Sequence, residues 1–145
     1  MNNHQQHIDL EIEQAISGLK LASLWIFILF NMLFRDIHEL ANPAFIDKIH
    51  TQNVSEVILL ASGVVISFVI AMIPLNLMIG GHIRKRLNLV AVAFTMLGLT
   101  YSLPGDLDDK WFIFIEMLTL LLITYLSLLK PNPVKLNHQP SFRLL

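Results

Sequence analysis

A lone carboxylate in an apolar run is the first feature with chemical potential. Glu116 stands within residues 111–129, which carry no other charge. An ionised side chain near the middle of a hydrocarbon layer costs about 2.5–3.5 kcal/mol on insertion scales, so such a group must be paired, protonated or facing water. Arg35 is the matching partner. It lies five residues before Leu40, where the first apolar segment ends, and Glu116 lies six residues after Lys110, where the last begins. Helical rise puts both roughly 7–9 Å below the same boundary. Opposite charges at matching depth predict a pair; a simpler role for the arginine is to snorkel outward and meet Glu39 at i+4. Asn31, Arg35 and His38 share one narrow helical face, with Asp36 directed elsewhere. The candidate ligand- or ion-binding residues are therefore Glu116, Arg35, Asn31, Asp36, His38 and Tyr101. Glu116 would exchange a proton or hold a cation, with Arg35 as its partner and Asn31 and Tyr101 lining the site.

Other chemistries find less support. Asp36, His38, Glu39, His50, Asp106, Asp108 and Asp109 are types that suit a divalent cation. Yet Asp106-Leu107-Asp108-Asp109 matches no calcium loop, and no His-x-x-x-His pair occurs. No metal site is expected, and Asp108 or Asp109 reads as the cap of the last helix. His82, beside Arg84, Lys85 and Arg86, reads as a lipid-headgroup contact. No Gly-rich phosphate loop, Ser-His-Asp set or nucleophile elbow is present, so no catalytic residue and no cofactor is predicted, and the reading is against an enzyme.

The elements that must position these residues follow from composition. Of 145 residues only 10 + 11 = 21 are charged, 14% against roughly 25% in soluble chains. With 54% hydrophobic residues and a mean hydropathy of +0.62, so few charges cannot cover a surface in water; the solvent is lipid. The absence of cysteine excludes a disulfide scaffold, thiol redox chemistry and Cys-ligated metal. A net charge of -1 gives no reason to expect nucleic acid.

Four apolar runs, at residues 20–40, 57–80, 87–103 and 111–129, approach the about 20 residues that a spanning helix needs. Strand alternation is missing from them, so helices rather than a barrel are expected. The predicted fold is all-α, a four-helix transmembrane bundle over residues 20–130, after an amphipathic N-terminal segment at 1–19 and before a Pro-containing tail at 131–145. A short surface helix is expected after Asn42-Pro43, and Asn53 with Glu56 reads as a cap. Small residues should mark helix contacts: Gly63, Ser67 and Ala71 on the second span, Asn88, Ala91, Thr95, Gly98 and Ser102 on the third, and Thr119 and Ser127 beside Glu116 on the fourth. Pro74 should kink the second span. Lys20, Arg84, Lys85, Arg86, Lys130, Lys135 and Arg143 fall on one side and Arg35, Lys48 and Lys110 on the other, which predicts both termini in the cytoplasm.

Residues 19–37, Ile73-Pro74, Arg86-Leu87-Asn88 and Glu116 together carry a resemblance. They are similar to a family of small bacterial four-helix membrane proteins known only as a domain of unknown function, with a more distant likeness to DoxX-like proteins. Trp25, Asn31, Asp36, Asn88 and Glu116 are its more specific markers, and it covers residues 19–131. The resemblance implies a multi-pass protein of the bacterial cytoplasmic membrane and supplies no activity. Two functions are carried forward. One is binding or permeation of a small ligand or ion at a polar pocket near the outer face. The other is a non-catalytic accessory or interaction subunit of a larger membrane complex. The expected partners are the bilayer and either another membrane protein or a second copy.

Overall fold

The computed structural model describes residues 3–43, 46–47, 51, 56–101 and 107–129. These form four long α-helices: α1 (Asn3–Leu40), α2 (Glu56–Met78), α3 (Gly81–Tyr101) and α4 (Leu107–Leu128). The surface helix after Asn42, the cap at Asn53, Ser102 and the tail fall wholly or largely outside the described residues.

Three of the helices, α1, α2 and α4, are long and apolar enough to cross a membrane. The third falls short because its first turns carry His82, Arg84, Lys85, Arg86 and Asn88, so its apolar part begins only near Leu87. At 38 residues, α1 would reach about 57 Å at 1.5 Å per residue, well beyond a hydrocarbon core of about 30 Å. The amphipathic N-terminal segment is continuous with the apolar helix, and its Leu10, Ile12, Ile16 and Leu19 are exposed.

The helices close into a ring in which α1 packs against α2 and α4, and α3 against the same two. Contacts fix the directions. Gln14 and Trp25 of α1 meet Arg84 and Asn88 of α3, so those two run parallel; Asn31 and Arg35 meet Glu116 while Gln14 lies by Ser127, so α4 runs antiparallel to α1. Only Ile79 and Gly80 separate α2 from α3, and Gly81 opens α3 at φ +63, a left-handed conformation that suits a residue without Cβ.

Leu21, Trp25, Ile28 and Met32 recur at helical spacing on the inner face of α1. They pack with Val69 and Met72 of α2, Ala91, Val92 and Leu99 of α3, and Leu120 and Ile123 of α4. The outer surface is equally apolar: Phe27, Phe30, Leu33 and Phe34 of α1, Leu59 and Leu60 of α2, and Leu118 and Leu121 of α4 are exposed. Asparagine, arginine and glutamate are instead buried inside. A water-soluble domain rarely exposes a continuous apolar surface of this kind, whereas lipid welcomes it.

One expected seam is corrected. Gly63, Ser67 and Ala71 lie on the exposed side of α2, and a Cβ added at Gly63 would meet nothing within 4 Å. The face turned inward is Val65, Val69, Met72 and Asn76. The reason is that both sides of this helix are apolar, and burial of the Asn76 amide outweighs the small-residue pattern in setting its rotation. On α3 and α4 the expected residues do face inward: Thr95, Glu116, Thr119 and Ser127 are buried, and Gly98 sits where an added Cβ would come 3.1 Å from Val65. Helix α2 continues across Pro74 to Met78, with the Ile79 N–H donating to the Leu75 carbonyl at 2.9 Å.

Candidate functional site

The buried polar side chains gather into two clusters. Ile28 of α1 and Leu120 and Ile123 of α4, all at 0% exposure, lie between them along the bundle.

At the Arg35 end, Glu116 has 0% exposure. Asn31 donates from Nδ2 to Glu116 Oε1 at 3.0 Å and to the Phe112 carbonyl at 3.0 Å. Arg35 places Nη1 3.5 Å from Glu116 Oε2 and Nε 4.0 Å from Asp36 Oδ1. Glu116 Oε2 and Arg35 Nη1 attract each other as charges, yet neither makes a hydrogen bond among the described residues. Asp109, in the first turn of α4, is also buried, with Oδ1 unpartnered. His38 is exposed, its ring 6.3 Å from that of Phe112. The cluster thus brings together Glu116, Arg35 and Asn31, with Asp36 at its edge and His38 outside it. The Tyr101 side chain lies outside the described part of the structure. Among the described residues, no three His, Asp or Glu side chains converge as metal ligands.

At the Arg84 end the polar groups form a continuous network. Asn76 and Asn88 face each other as paired amides: Asn88 Nδ2 donates to Asn76 Oδ1 at 2.7 Å, and Asn76 Nδ2 to Asn88 Oδ1 at 3.3 Å. Trp25 Nε1 donates to Asn88 Oδ1 at 2.7 Å. The remaining amide donors go to the Met72 and Arg84 carbonyls at 2.7 and 2.8 Å. Arg84 in turn reaches the Gln14 carbonyl at 2.8 Å and the Asn76 carbonyl at 3.5 Å through Nη1. Burial pushes the Arg84 guanidinium below the ordinary arginine range. Gly18 makes the approach possible, since an added Cβ there would stand 2.5 Å from the Asn76 carbonyl oxygen and 2.7 Å from Arg84 Nη1.

Sequence reasoning missed Asn76 and Gly18 and gave Arg84 only a place in the basic stretch that orients the chain and lies beside the headgroup contact His82. The available signal for Asn76 was a single amide in the apolar residues 69–79.

A family model covers residues 11–133. The chain belongs to DUF6326, a family of unknown function. The DUF6326 region begins within α1 and ends beyond α4, so both polar clusters lie inside it. No curated protein and no solved structure matches the chain.

Proposed function

We propose that this DUF6326 chain is a four-span protein of the bacterial cytoplasmic membrane, with both termini inside, acting as a non-catalytic accessory subunit of a larger membrane complex. The carrying observation is Glu116: the only charge within residues 111–129 is fully enclosed and spent on Asn31 and Arg35, where it ties α4 to α1. In this reading α3 completes the fourth crossing from about Leu87. The Arg84 end lies toward the cytoplasm, on the basic side of the molecule. The outward stripe of Gly63, Ser67 and Ala71 supports docking of a transmembrane helix, because small residues let backbones approach closely. Leu59, Leu60, Val64 and Phe68 flank the stripe in a shallow apolar groove.

A photocrosslinking side chain placed at Ser67, with Leu97 on α3 as control, tests this in native membranes. One discrete adduct to a different membrane protein at Ser67, abolished by Gly63→Ile, is the expected result. An adduct only to a second copy, or none, overturns the accessory reading. Orientation is tested separately, because the chain has no cysteine. Asp108→Cys should react with a membrane-impermeant thiol reagent in intact cells and His82→Cys should not; the opposite pattern reverses the topology.

A second reading, binding or permeation of a small ion at the Arg35 end, is favoured by the missing hydrogen bonds on Glu116 Oε2 and Arg35 Nη1. A buried acceptor without a donor is a place for a proton or small cation. Glu116→Gln would then fold and lose ion flux in reconstituted vesicles, whereas the accessory reading expects no flux to lose.

A further inference from the structure

The Arg84 end also holds a cavity of about 430 Å³ between α1, α3 and α4, within the roughly 300–1,000 Å³ range of small-ligand sites. Arg84 forms part of its wall at 9% exposure, and among the described residues no carboxylate lies within ion-pair distance of it. The contrast with Arg35, which has both Glu116 and Asp36 beside it, is direct. An enclosed guanidinium without a counter-charge carries a desolvation cost that an anion would offset. Its Nη1 is held by the Gln14 and Asn76 carbonyls, while Nε and Nη2 make no hydrogen bond among the described residues. The N–H donors on Nε and Nη2 are therefore left for another acceptor.

The opposite wall supplies a second, independent observation. Ser127 of α4 lines the same cavity at 7% exposure, and its hydroxyl is buried with no hydrogen-bond partner. An unpartnered hydroxyl on a residue of a cavity wall can be satisfied by an acceptor or donor from a ligand. Lys85 and His82 add positive or protonatable groups at the lining, and Leu21 and Leu126 give it an apolar side. Tetrahedral oxyanions suit this set: an arginine fork takes two of their oxygens, and a hydroxyl donates to a third. We infer that the cavity between Arg84, Lys85 and Ser127 binds a phosphate-bearing anion. The anion is either the headgroup of an anionic phospholipid, whose chains would follow the leucine side, or a free phosphate species.

The test uses the full chain, delipidated in detergent, with native mass spectrometry to count bound molecules and a thermal-shift titration for affinity. The probes are short-chain phosphatidylglycerol, short-chain phosphatidylcholine and inorganic phosphate. One phosphatidylglycerol per chain, held at least about tenfold more tightly than phosphatidylcholine, assigns the site to a lipid headgroup; one inorganic phosphate bound with similar strength assigns it to a soluble species. Lys85→Glu, which reverses a charge, and Ser127→Leu, which fills the space, should each weaken binding about tenfold, the loss of one charge-assisted hydrogen bond. Ser127→Ala, which removes only the hydroxyl oxygen, serves where the leucine variant fails to elute as a single species. Binding of neither anionic probe, equal binding of phosphatidylcholine, or unchanged affinity in the folded variants would overturn the assignment.

Discussion

The Trp25–Asn76–Asn88 network and the Arg35–Glu116 pair solve the same problem in opposite ways. At the Arg84 end, the five side-chain N–H donors of Trp25, Asn76 and Asn88 all find acceptors, and the amide network is neutral. At the Arg35 end, the groups are charged, and Glu116 Oε2 and Arg35 Nη1 lack hydrogen bonds. A satisfied neutral network inside a low-dielectric bundle fixes a unique arrangement of helices at small cost. A buried ion pair does not guarantee net stability, because the desolvation of two charges competes with their attraction. The amide network therefore sets the register of α1, α2 and α3, while the ion pair sets which face of α4 meets α1.

The largest effect should come from splitting the ion pair. Arg35→Met leaves Glu116 enclosed without its partner, and unfolding in mixed micelles should show a loss of about 3–5 kcal/mol. Next comes Asn88→Leu, which orphans Trp25 Nε1 and the facing amide of Asn76 and should cost about 3 kcal/mol, from penalties of about 1–3 kcal/mol for each unsatisfied group. Comparable losses at the two ends would show that each cluster is structural in its own way. An Asn88→Leu variant as stable as the parent would remove the network from that role.

Gly18→Ala probes the joint between the network and Arg84. The new methyl would displace the Asn76 carbonyl or the guanidinium, and a loss of about 1–3 kcal/mol is expected, the usual cost of overpacking. Glu116→Gln should cost less than Arg35→Met, about 2 kcal/mol: an amide oxygen can keep the hydrogen bond from Asn31 and Asp36 stays beside Arg35, but the buried guanidinium loses its nearer counter-charge.

These differences also explain what the sequence could and could not disclose. Continuous apolar runs and the lack of alternation were enough to expect the helices that the described residues form, because a chain read as crossing lipid has no other open-ended choice for its backbone. Arg35 and Glu116 were legible as neighbours because depth is a one-dimensional quantity, obtained by counting residues from each helix end. Rotation about a helix axis is harder to read. On α2 every side is apolar, so Gly63, Ser67 and Ala71 suggested an inward seam, when Asn76 decides the inward face. Arg84 stands in a basic stretch with Lys85 and Arg86 that reads as a solvated loop, and nothing local reveals that Gly18, 66 positions earlier, opens the space for it. Long-range close approach leaves no periodic trace.

The double replacement Arg35→Met with Glu116→Leu, measured against both single variants in one double-mutant cycle, tests the central claim that the pair is an enclosed structural tie. The account predicts single variants that lose several kcal/mol and a double variant that loses only about 1–3 kcal/mol, the cost of leaving Asn31 without its Glu116 acceptor, since apolar residues can replace the buried pair itself without loss. Additive losses, with the double variant falling by the sum of the two, would show that Arg35 and Glu116 act independently and would contradict it.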